Sequence, residues 1–140
     1  MDYPERRVLA VFDEPPSADK ALAALRSLGI PEEDIEVLSG PAAADTFDAT
    51  GSRHGIPARL KRAVQFSLMD QMPAFAWYEA ALRDGKRVLA VATAARPTTL
   101  KIVAELEAAG GHFINRFGRL ETEEFTRWRG PEPAISSLLK

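Results

Sequence analysis

The chain has 140 residues, of which 46% are hydrophobic and 27% charged, with a formal net charge of −2. This is enough chain for one domain that buries roughly 68–70% of its unfolded surface, and the near-balanced charge gives no general attraction to phosphate backbones or anionic lipids. With no cysteine, disulfide frameworks, thiolate metal sites and cysteine nucleophiles are excluded.

The organising feature is a repeat. Arg7-Val8-Leu9-Ala10-Val11 returns as Arg87-Val88-Leu89-Ala90-Val91, 80 positions later. Each copy is short and β-rich, which predicts a strand with apolar side chains on both faces. After the first, Pro15-Pro16 breaks the chain, and Ser17 is placed to cap a helix with Asp19 in its first turn. Ala21, Leu22, Leu25 and Leu28 form its inward stripe. Gly29 supplies the stop, and Ile35 to Leu38 reads as the second strand, closed by Ser39-Gly40-Pro41.

The second half copies this plan. Arg87 to Thr93 reads as a strand, Pro97 suits a first helical position, and Ile102, Val103, Leu106 and Ala109 make the inward stripe. Gly110-Gly111 ends that helix. His112 to Phe117 is the predicted fourth strand, and strict alternation sets His112, Ile114 and Arg116 on one face against Phe113, Asn115 and Phe117 on the other.

Two βαβ units in tandem predict an α+β protein with a ferredoxin-like four-stranded antiparallel sheet, its repeated strands neighbours at the centre. A three-layer α/β fold is the alternative. Because both faces of the central strands are apolar, the face opposite the crossover helices also needs a cover. The 41–86 segment, inserted between strands 2 and 3, is expected to supply it with two helices, or else a second subunit does. Leu60, Val64 and Leu68 mark the stripe of one helix over Pro57 to Leu68. Phe75, Tyr78, Ala81 and Leu82 mark the other, with Glu79 and Arg83 facing solvent. The domain is expected over 1–129, with 130–140 as a tail.

The Gly29-Ile30-Pro31-Glu32-Glu33-Asp34-Ile35-Glu36-Val37-Leu38 stretch within this pattern resembles the bacterial heat-induced or general stress protein family. A related group of uncharacterised bacterial proteins has an Asp-x-x-Gly-x-x-His-Gly segment, here Asp48, Gly51, His54 and Gly55. It also has a Gly-Gly-His-x-Ile-Asn-x-x-Gly segment, here Gly110 to Gly118. The resemblance covers most of residues 7 to 124 and implies a ferredoxin-like domain linked to stress responses, with no particular reaction. The chain departs from stress proteins with a Gly/Ala-rich insert, since its own carries Arg59, Lys61 and Arg62.

Candidate chemistry is sparse. The two histidines, His54 and His112, could join Asp48 in a metal or acid–base site, although the spacing matches no known metal motif and both suit structural roles beside glycine. Arg53, Arg59, Lys61 and Arg62 form a basic run near a predicted helix start that could seat a small anion, with His112 and Asn115 as further ligand-binding candidates; a solvated helix face is the plainer account. Phe75 and Tyr78 read as core, with Trp77 at the flank. There is no Walker A loop, dinucleotide fingerprint or nucleophile elbow, and the central strands lack the base-stacking aromatics of an RNA-binding sheet. The leading expectation is therefore a cytoplasmic, non-enzymatic module that self-associates as a homodimer or binds another protein, with no cofactor, nucleic acid or membrane partner. An anion-binding sensor is the alternative, and a His-centred metal site or enzyme a minor one.

Overall fold

The computed structural model describes residues 7–44, 74–93, 95–118 and 122–133. In chain order these contain β1 (Arg7–Phe12), α1 (Pro15–Ser27), a 3-10 turn (Glu32–Asp34), β2 (Ile35–Ser39) and α2 (Gly40–Ala44). Then come α3, described over 74–83, β3 (Arg87–Ala92), α4 (Arg96–Ala108), β4 (His112–Phe117) and β5 (Thr122–Glu124). The fold is α+β. Its sheet is open and antiparallel, with five strands in the order β2-β3-β1-β4-β5, where the sequence pattern suggests four. The extra strand, Thr122-Glu123-Glu124, has no apolar alternation to betray it.

The twin pentapeptides lie side by side. Val8 stands opposite Val91 and Ala10 opposite Leu89 on one face, with Leu9 opposite Ala90 and Val11 opposite Val88 on the other. The first face packs against Ala18, Ala21 and Leu25 of α1 and Ile102, Val103 and Leu106 of α4. The second packs against Ala44 of α2 and Phe75, Tyr78, Ala81 and Leu82 of α3. Leaving Leu9, Val11 and Val88 in water would cost about 1.5–3 kcal/mol each, which is why the second face needs its roof. The insert provides that roof through α2 and α3; the helix expected over Pro57 to Leu68 lies outside the described residues.

Helix boundaries follow backbone chemistry. α1 begins at Pro15 rather than after Ser17, with Glu14 as an N-cap that makes no side-chain bond. Proline has no N–H to leave unsatisfied in a first turn, and the Ser17 N–H already bonds the Glu14 carbonyl at 3.1 Å. The expected Ser17 cap is therefore inside the helix, and its first turn holds no acid. α4 begins at Arg96, one residue before the expected Pro97. Both helices end alike. Gly29 takes φ +85° and Gly110 φ +104°; the Ile30 N–H reaches back to the Leu25 carbonyl at 3.1 Å, and the Gly111 N–H to that of Leu106 at 2.9 Å. These are matching left-handed stops in the two halves.

The halves part at β4. Leu9 pairs with Asn115 but Val11 pairs with His112, so Phe113 and Ile114 stand where β1 has Ala10 alone. This is a β-bulge, and Phe113 sits in it at φ +49°. The extra residue corrects the expected alternation. Cross-strand partners share a face, so His112, beside Val11, and Asn115, beside Leu9, point to the same roofed side, while Ile114 enters the opposite core.

Candidate functional site

Two sequence candidates, His112 and Asn115, fall within the described residues, and the bulge brings both to the α3 side of the sheet. Asp48, Arg53, His54, Arg59 and Arg62 lie outside those residues, as does Lys61. The proposed meeting of His54, Asp48 and His112 therefore has one described member.

His112 is 1% exposed. Its Nε2 lies 2.8 Å from Asp13 Oδ1, and its Nδ1 accepts the backbone N–H of Arg129 at 3.1 Å. An acceptor nitrogen carries no proton, so the proton sits on Nε2 and is donated to Asp13. Both nitrogens are thus engaged. A metal ligand or general base needs a free ring lone pair, and the one on Nδ1 is held by Arg129. Asp13 also receives Lys86 Nζ at 3.1 Å. Partial burial pushes the Asp13 carboxyl up, but the hydrogen bonds from His112 and Lys86 outweigh it and hold the group below its ordinary value.

Asn115 belongs to a second hydrogen-bonded network. Its Nδ2 donates to Tyr78 Oη at 2.9 Å and stands 3.3 Å from the Phe113 carbonyl. The Tyr78 hydroxyl donates to that same carbonyl at 2.8 Å, with the Leu9 carbonyl 3.3 Å away. The bulge leaves main-chain carbonyls without a regular ladder, and this side-chain pair supplies the donors. Burial pushes the Tyr78 phenol far above its ordinary value, against a smaller opposing pull from Asn115.

Over this corner runs the segment that follows β5, here called the strap. The Phe125 and Thr126 N–H groups both reach the Ile114 carbonyl, at 2.8 and 3.2 Å, and the Phe113 N–H reaches the Arg127 carbonyl at 3.0 Å. Arg129 Nη2 then binds the Gly111 carbonyl at 2.7 Å and the Gly110 carbonyl at 3.1 Å. Trp128 meets His112 edge-on at 4.9 Å between ring centroids and touches Trp77 at 5.3 Å; Trp77 in turn stacks on Phe113 at 5.5 Å. At the near end, Arg96 Nη2 binds Glu123 Oε2 at 2.7 Å, and Arg116 Nε binds Glu123 Oε1 at 3.2 Å. The Arg96 hydrogen bond is the main reason that the Glu123 carboxyl is brought down to about 2.

Sequence reasoning singled out His112 and Asn115 but missed their partners. Asp13 is 99 positions away from His112, and nothing in the chain's local pattern links them. Tyr78 was legible as core, though not as a hydrogen-bonding group. Arg129 and Trp128 fall in a stretch without strand or helix periodicity, and no sequence signal could have placed them.

Among the described residues, no group of three or more His, Asp or Glu side chains is arranged to hold a metal ion, and no helix is long and apolar enough to cross a membrane. No protein-family model, curated protein or solved structure matches the chain. Fold and corner together define an α+β protein whose one described histidine holds the strap that follows β5.

Proposed function

We infer that this protein is a non-catalytic association module, ferredoxin-like in β1 to β4 and of the stress-protein kind, that works by pairing with a second copy of itself. The observation that supports it is the outermost position of β2 in the sheet. Among the described residues β2 pairs on one side only, with β3, and Val37 at its middle is 46% exposed. Sheet margins of soluble proteins are usually blunted by charged side chains, proline or a bulge; Ile35-Glu36-Val37-Leu38-Ser39 has one charge, Glu36, and neither proline nor a bulge. An antiparallel two-fold centred on Val37 sets Val37 against its twin and Glu36 against Leu38, so no like charges stand directly opposite. Both sheet faces are already covered within one chain, which leaves the margin rather than a face as the route to self-association.

The anion-sensor reading draws on Arg53, Arg59 and Arg62; it gains nothing from His112, whose two ring nitrogens are bonded internally, and the Asn115 amide nitrogen, the donor an anion would need, is taken by Tyr78 and the Phe113 carbonyl. The metal or enzyme reading loses the free lone pair it needs at His112. Sedimentation equilibrium of the full chain tests the association. Dimers that revert to monomers in Val37→Lys, with the circular dichroism spectrum unchanged, are expected; a native chain that stays monomeric at high micromolar concentration overturns it.

A further inference from the structure

His112 grips the strap through an atom that accepts only while the ring is neutral. Its Nδ1 takes the Arg129 N–H at 3.1 Å while Nε2 donates to Asp13 at 2.8 Å. A proton gained at Nδ1 turns that acceptor into a donor and sets two N–H groups head to head, so one of them must withdraw.

We propose that His112 is a proton-operated latch: acid releases the strap around Arg129 from the start of β4, and neutral pH seats it again. Among the described residues, the charged groups bonded to this corner are Asp13 from the turn after β1, Lys86 from the approach to β3 and the Arg129 guanidinium from the strap itself. The Trp128 ring edge completes the surround. Asp13 attracts the added proton, while Lys86 and Arg129 oppose it. The direction of the switch does not depend on how these balance. A protonated Nδ1 cannot accept the Arg129 N–H that holds the seated strap, so added protons favour release by linkage.

The opening is local. Glu123 stays tied to Arg96 and Arg116 at β5, so the strap swings from an anchored end. Release of Arg129 carries Trp128 away from His112, Trp77 and Phe113. Acid therefore bares an aromatic surface at the outer end of β4.

The test is amide hydrogen exchange, together with ring-nitrogen NMR of His112, on the full chain from about pH 8 to about pH 5, the range in which histidine ordinarily titrates. After correction for intrinsic exchange, the opening constant of the Arg129 amide should rise by up to about tenfold per pH unit once the ring titrates. The Leu9 and Ala90 amides of the central strands should not follow. His112→Gln, whose amide can accept and donate without titrating, should remove the pH dependence. An Arg129 opening constant that stays flat while the ring gains its proton would overturn the latch, as would a ring that stays neutral throughout or an equal rise in His112→Gln. If that variant does not fold, the match between ring titration and strap opening in the native chain decides alone.

Discussion

Replacing Tyr78 by Phe separates a structural Asn115 from a ligand-binding one. The substitution keeps the ring, which packs against Phe113 at 5.1 Å and Phe117 at 5.9 Å between centroids, and removes one oxygen. That oxygen is the donor to the Phe113 carbonyl at 2.8 Å and the acceptor for Asn115 Nδ2 at 2.9 Å. The Asn115 amide keeps only its longer contact with the Phe113 carbonyl, at 3.3 Å, in a site where both side chains are buried. Leaving buried donors and acceptors short of a partner costs about 1–3 kcal/mol. In a domain of this size that is a fall in Tm of roughly 3–10 °C. Urea denaturation followed by circular dichroism should show a lower midpoint with an unchanged slope. A loss under about 0.5 kcal/mol, within the range of ordinary surface changes, would mean that the hydroxyl is not the hub of this network, and the Asn115 amide nitrogen would again be open to a ligand role.

Three further outcomes follow from the same geometry. The buried Tyr78 phenol holds its proton above its unfolded value of 10.0, so its contribution to stability is complete below that pH and is lost as pH rises beyond it. Alkaline difference absorbance should show no Tyr78 phenolate until the fold melts, and a reversible native-state titration at the ordinary value would contradict this. Glu123, depressed to about 2 from 4.5, should stabilise β5 fully above 4.5 and lose that effect as pH falls through about 2. Carbon-detected NMR of its carboxyl checks this, with an ordinary carboxylate midpoint as the contrary result. Gly111→Ala would set a Cβ 2.8 Å from the Leu106 carbonyl and 2.9 Å from Phe12 Cζ. The strain should cost about 1–3 kcal/mol, measured as a lower urea midpoint; unchanged stability would show that the corner relaxes freely.

What could be read from the sequence was what is periodic or repeated. The twin pentapeptides gave β1 and β3, glycine stops gave the ends of α1 and α4, and the 3.6-residue stripe at Phe75, Tyr78 and Leu82 gave the roof. What could not be read depends on breaks in period or on distant pairing. The bulge at Phe113 adds one residue to β4, and no propensity calls for a phenylalanine at φ +49°. A single-residue slip exchanges the faces of a strand, so His112 and Asn115, which strict alternation sets on opposite sides, share one. The partners Asp13 and Arg129 reach His112 from other parts of the fold, and local pattern carries no record of them.

The bulge and strap also bear on assembly. A duplicated sheet has two outer margins, and a chain that offered both could add copies at each end without limit. Here the halves have diverged so that the margins differ. β4 is covered by β5 and the strap, through Glu123 at one end and Arg129 at the other, while β2 pairs only with β3 among the described residues. Among the described residues the outer strands are β2 and the three-residue β5, so under the proposed two-fold through Val37 two copies join at β2 and leave at each far margin only a strand too short to extend the sheet. Under this account the strap is what keeps self-association finite. Deleting the chain from residue 122 onward should therefore add species larger than dimers in sedimentation velocity. A truncated chain that folds and still stops at the dimer would show that β4 is protected by something other than the strap.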